Sequence, residues 1–177
     1  MPGFPNPIVV VSRCLTFEAC RYDGTMKGSE VVERMKSFVE FVPMCPEVGI
    51  GLGVPCATIE VVKREDGIRL VQPSTGRDLS EEMDSWARGF LDSVRRVDGF
   101  ILKARSPSCG LGDVPLLVPE GGRLDTTDGF FARAAITRYP DLPMTSEQDL
   151  EDDALRARFL ESVFERAGAH VPAELQP

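Results

Sequence analysis

Apolar residues along this chain follow two rhythms that alternate from one end to the other. Residues 7–12, PIVVVS, are a continuous β-branched run between a proline and a polar turn, the pattern of a strand covered on both faces. Residues 29–38 change to helical spacing, with Ser29 as an N-cap and Val31, Val32, Met35 and Phe38 on one face. A short strand follows around residues 39–42; it runs into Pro43, and Pro46 is expected to keep the next loop from becoming a helix. Residues 58–72 read as two extended segments joined at Asp66 and Gly67, a dipeptide favoured in tight hairpin turns.

The clearest helix spans residues 80–97. Ser80 is its expected cap, Glu81 and Glu82 suit its positive end, and Met83, Trp86, Ala87, Phe90, Leu91, Val94 and Val97 form its stripe. Gly99 releases the chain into FILKA, another short apolar strand. Two more helical patterns cover residues 129–139, stopped before Pro140, and residues 153–167, with Leu155, Phe159, Leu160, Val163 and Phe164 on one face. Strands alternating with helices predict an α/β fold with a mostly parallel sheet and an added short β-hairpin. In such sheets ligands bind beyond the carboxyl ends of the strands.

Composition narrows the class. At 177 residues the chain suits one core, so residues 1–170 are expected to form a single domain and residues 171–177 a flexible tail. No apolar run reaches membrane-spanning length, and the amino terminus lacks the pattern of a secretory signal, which favours a cytoplasmic setting. The formal charge of −8 argues against broad attraction to nucleic acid or anionic lipid and favours a small polar or nucleotide-sized ligand.

Five cysteines in a reducing compartment point to packing, metal ligation or catalysis rather than disulfides. Cys14, Cys45 and Cys109 each lie a few residues after a predicted strand, so parallel neighbours would bring them to one edge. The chain has no CxxC motif, and its one histidine, His170, falls near the carboxyl end, which disfavours a four-ligand zinc site. Three thiolates suit an iron–sulfur cluster with one iron left open. Cys20 is close enough to Cys14 to compete as a ligand, and Cys56 reads as a packing residue. Glu47, two residues after Cys45, and Ser106, three before Cys109, can face the same crevice as a proton carrier and a hydroxyl donor or nucleophile. A loop cap and a turn-forming hydroxyl before proline account equally well for those two residues. Arg21, Asp23, Lys103 and Arg105 flank the loops, and a cation cluster of the basic residues there can hold an anionic ligand group or offset cluster charge.

Four ordered motifs, VSRCL…CRYDG, VPMCPEVGIGLGVP, TGRDLSEEM and GFILKARSPSCG, together resemble the TudS-type desulfidases over roughly residues 8–165. The resemblance implies a Rossmann-like three-layer sandwich carrying a [4Fe–4S] cluster on Cys14, Cys45 and Cys109, with Glu47 and Ser106 as catalytic residues. It also implies non-redox, hydrolytic desulfuration of a thiolated pyrimidine with release of sulfide. Arg13, the Thr25 to Lys27 run and Cys56 depart from the usual family pattern around the pocket. A free base or nucleotide of the thiouracil or 4-thiouridine monophosphate type is expected in preference to tRNA, with Arg21, Asp23, Arg105 and Ser108 as its contacts. Two other readings use the same residues: a cluster that senses or binds without turnover, and a cluster-free thiol enzyme with Cys109 as nucleophile.

Overall fold

The structure, a computed structural model, describes residues 5–176. In chain order its elements are β1 (Ile8–Ser12), α1 (Glu30–Met35), β2 (Glu40–Met44), α2 (Pro46–Gly49), β3 (Glu60–Arg64), β4 (Gly67–Gln72), β5 (Arg77–Asp78) and α3 (Ser80–Ser93). They continue as β6 (Gly99–Leu102), β7 (Val114–Leu117), β8 (Arg123–Thr127), α4 (Phe130–Arg138), β9 (Met144–Ser146) and α5 (Asp153–Arg166), with 3-10 turns at Asp149–Glu151 and Ala173–Leu175.

Four strands form a wholly parallel sheet in the order β2-β1-β6-β9. The β-branched run of β1 lies near its middle, which is why it carries no polar alternation. Val9 and Val11 face a core built with α1 and α5, while Val10 faces the opposite core with Phe100, Leu102, α3 and α4. The period-two alternation of β1 therefore sorts its side chains between two helical layers, giving the Rossmann-like three-layer α/β sandwich. Among the described residues no helix is long and apolar enough to cross a membrane.

The predicted hairpin forms as β3 and β4 and is extended into a second, five-stranded sheet, β5-β4-β3-β7-β8, which covers Leu79 and Met83 at the start of α3 and Phe130 of α4. Several other expectations are corrected. Pro43 sits inside β2 because β2 is an edge strand, where a missing N–H breaks no inner ladder. Pro46 starts a short helix rather than preventing one, since the first helical position needs no hydrogen-bonding N–H. Ser80 is the first residue of α3 and not its cap: the Asp78 carboxylate accepts the Ser80 N–H at 2.9 Å, and Ser80 Oγ accepts the Leu70 N–H at 2.8 Å. That helix stops at Ser93, where Val94 turns extended. Ser29 does cap α1, accepting the Val32 N–H at 3.4 Å.

Of the segment expected as a flexible tail, the described residues 171–176 pack back onto the α1 and α5 core through Val171 and Leu175, and residue 177 lies outside the described residues. Leu175 is 4% exposed, and the Arg34 guanidinium donates to the Glu174 carbonyl.

Candidate active site

Register brings the site together. Ser12 pairs with Met44, Val11 with Ile101, and Leu102 with Ser146, so β1, β2, β6 and β9 end at one level. Cys14, Cys45 and the loop to Cys109 leave the sheet there, at the carboxyl edge where open α/β sheets place ligands. Together with the second sheet they enclose a cavity of about 570 Å³. Its wall includes Ser12, Cys14, Cys45, Glu47, Ser106 and Cys109.

Each loop has a local reason for its shape. Cys45 occupies the N-cap position of α2, so Glu47 falls in that helix's first turn. In the third loop, Ser106 Oγ accepts the N–H groups of Ser108 and Cys109 at 3.3 and 3.1 Å, curling the chain around the cysteine. The loop's carbonyls then satisfy the start of α4: Pro107 O accepts from Phe130, and Ser108 O accepts from Phe131 and Ala132. That explains why α4 begins without a side-chain cap. Gly129 makes the close approach possible, because a Cβ there would sit 2.4 Å from the Ser108 carbonyl carbon.

The three thiols are held in their neutral form. Burial, then the charges of Cys20 and Glu47, push the Cys14 thiol from an ordinary 9.0 up to about 12, while Lys103 pulls the other way. Cys45 is raised by burial and by Glu47, and the buried Cys109 is raised by burial and Glu47 against a hydrogen bond from Ser12. Thiols in this state bind metal by giving up protons, a cost that several soft metal–sulfur bonds together can offset.

Glu47 bridges two loops. Ser108 Oγ donates to Glu47 Oε1 at 2.8 Å, and the Cys45 thiol lies 3.5 Å from Glu47 Oε2.

Other expected contacts divide. Arg21 and Arg105 line the cavity. Asp23 is not in the wall; it is exposed and turned toward Thr25 and Arg21, with 3.7 Å to the guanidinium. Ser108, also expected as a substrate contact, is fully buried behind the wall, and its hydroxyl donates to Glu47. Cys56, read from sequence as a packing residue, lines the cavity and is only half-buried; Cys20 lines it too, so all five cysteines meet there. Its carbonyl lies 3.8 Å from Cys45 Sγ.

The wall also contains Tyr22 and Gln148, and the buried Glu147 reaches it through Lys103. Glu147 immediately follows β9, and recognising MTS as a strand would have put it on the same edge. Three residues after Pro143 give no periodicity from which to see that.

A parallel α/β sheet whose carboxyl edge gathers three thiols and a carboxylate defines a protein built around a thiol-lined small-molecule site. Residues 9–147 match the 2-thiouracil desulfurase family, and the chain belongs to it. It is 28% identical over 152 residues to the uncharacterized protein YbbK of Bacillus subtilis (strain 168), covering 82% of this chain and 99% of YbbK. Among solved structures it resembles the [4Fe-4S]-dependent thiouracil desulfidase TudS, with a TM-score of 0.65 and 28% identity, covering 86% of this chain and 99% of TudS.

Proposed function

We propose that this chain removes sulfur from a thiolated pyrimidine, replacing C=S by C=O and releasing sulfide, with a [4Fe–4S] cluster held by Cys14, Cys45 and Cys109. The observation that carries the reading is the arrival of three thiols, from the ends of three parallel strands, at one cavity shared with Glu47. Among the described residues no three His, Cys, Asp or Glu side chains are grouped tightly enough to hold a single metal ion. When bound, the cluster supplies one iron without a protein ligand, a soft Lewis acid suited to thiocarbonyl sulfur.

The chain's own groups would perform the remaining tasks. Water adds its oxygen to the ring carbon and the C–S electron pair leaves with sulfur, so no net oxidation occurs. Glu47 is anchored through Oε1 by Ser108, and its Oε2, which faces the Cys45 thiol, would be released once that thiol is committed to the cluster, to take the proton from that water and deliver it to the departing group. Ser106 Oγ accepts two backbone N–H groups, an arrangement that favours donating its own proton to the substrate over attacking the ring.

A cavity of about 570 Å³ suits a base or mononucleotide, and Arg21 and Arg105 can meet a phosphate at its mouth. A cytoplasmic setting fits a site that needs reduced thiols.

The test is anaerobic purification and cluster reconstitution, followed by iron and labile-sulfide analysis and assay with 2-thiouracil, 4-thiouracil and 4-thiouridine monophosphate. Iron should be bound and sulfide released. Changing Cys14, Cys45 or Cys109 to serine should each lose iron, whereas Cys20→Ser and Cys56→Ser should keep it. A protein that stays iron-free after reconstitution overturns the proposal.

A further inference from the structure

Four cations, Arg13, Arg21, Lys103 and Arg105, stand in the cavity wall, and Lys103 differs from the others in how it is held. It follows β6 directly, and its N–H donates to Ser12 Oγ at the end of β1 at 2.9 Å. Its ammonium lies 2.6 Å from Glu147 Oε1 and 2.8 Å from the Ala104 carbonyl. The other oxygen of Glu147 accepts the Ala104 N–H at 2.7 Å, and the Glu147 side chain is 2% exposed. This carboxylate therefore has its charge paired and both oxygens hydrogen-bonded, and its second bond, to the Ala104 backbone, fixes the place from which it holds the ammonium.

Exposure separates Lys103 from its neighbours. Its side chain is 19% exposed, against 27% for Arg13 and 32% for Arg21, whose carboxylate partners lie in solvent. Arg105 is exposed at the mouth. Charges facing water are screened, while a cation in a partly desolvated wall acts on its neighbours at fuller strength. Glu147 and Ala104 engage two of the three ammonium N–H groups of a side chain that lines the cavity, so one donor is not used by these two partners. An apolar contact would tie the ends of β6 and β9 without the desolvation cost of a buried ion pair, so tying the strands does not account for the charge.

We infer that Lys103 is the fixed anion-stabilising group of this cavity, with Glu147 as its positioning residue, and that the anion it meets is sulfur: the thiolate form of the substrate or departing hydrosulfide. The identity of the anion rests on the desulfidase reading; the placement of the charge does not. As the ring C–S bond breaks, its electron pair goes to sulfur and Glu47 takes the proton of the attacking water. The negative charge then forms beside an ammonium already in place, with no reorganisation required at that moment.

Lys103→Met, Glu147→Gln and Lys103→Arg distinguish an electrostatic role from a structural tie. In the cluster-free full-length chain, the rate of Cys14 alkylation by iodoacetate divided by that by iodoacetamide reports the local potential, because thiol acidity and access cancel in the ratio. Lys103→Met should lower that ratio severalfold, Glu147→Gln should raise it, and Lys103→Arg should leave it near wild type. In the cluster-loaded enzyme, hydrosulfide inhibition should weaken severalfold in Lys103→Met and tighten in Glu147→Gln at unchanged iron content. Ratios that move together in the two charge-removing variants, or do not move, overturn the inference. Should Lys103→Met fail to fold, an unchanged or lowered ratio in Glu147→Gln does the same. Opposite shifts in a chain that releases no sulfide would uphold the charge placement and defeat the desulfidase reading.

Discussion

Glu47 sits where two loops from different strands meet, and its value comes from that junction. The α2 backbone sets its position, while Ser108 on the Cys109 loop sets the orientation of its carboxylate. Glu47→Gln keeps the shape and can still accept from Ser108, yet it cannot take a proton. Sulfide release should fall by about 10² to 10⁴, the usual range for losing a general acid–base, with iron per chain unchanged. Sulfide release that survives this change would remove Glu47 from the mechanism, and a cluster serving only as a sensor would give no turnover to lose. Ser106 and Ser108 show how narrow such distinctions are. Two serines separated by one proline have different duties, one curling the loop around Cys109 and the other holding Glu47.

At the scale of elements, α4 and the Cys109 loop are one unit, since the helix is capped by the loop's own carbonyls. Gly129 lets them touch. An alanine there would place its Cβ 2.4 to 2.7 Å from backbone atoms of Ser108 and Cys109, which cannot retreat as the tip of a side chain could. Gly129→Ala should cost about 1 to 3 kcal/mol, the range for overpacking, and should also reduce iron per chain because the displaced atoms carry Cys109. Thermal melts and iron analysis of the same sample check both effects.

The join between β5 and α3 should respond to acid. Burial would raise the Asp78 pKa, but its hydrogen bonds from Ser80 and the charges of Arg69 and Arg64 outweigh that and hold it below the ordinary 3.8. A depressed carboxylate stabilises the fold above its unfolded value and loses that contribution as pH falls through its folded value. The wild-type melting temperature should therefore drop with acidification below about pH 4, the unfolded carboxylate range, and Asp78→Asn should flatten part of that limb. Equal acid slopes in the two proteins would count against this account.

For the molecule as a whole, the parallel sheet and its helices were readable in the chain because each has a strong rhythm of its own. The run of β1, the stripe of α3 and the Ser29 cap of α1 all appear close to where the pattern puts them. The second sheet was mostly hidden. β5 has two residues, β7 carries Pro115, and β8 reads RLDTT with no buried residue, so none shows a period long or apolar enough to recognise. Their pairing depends on partners far away in the chain. The packed carboxyl end was hidden for a similar reason, since burial of Leu175 depends on the groove that α1 and α5 make for it.

By itself the sequence determined the strands β1, β2, β3, β4 and β6 and the helices α1, α3, α4 and α5, which cysteines follow strand ends, and that Glu47 and Ser106 travel with them, because local spacing is enough to set these. Only the tertiary structure decided that β1, β2, β6 and β9 end level, that Cys20 and Cys56 join the same wall, that Asp23 lies outside it, and that Ser108 faces Glu47. It also set Glu147 against Lys103, 44 residues apart in the chain. The physical reason is one of range: periodicity records which face of an element is apolar, whereas neighbours across a sheet are chosen by strand order and register, which no local stretch contains.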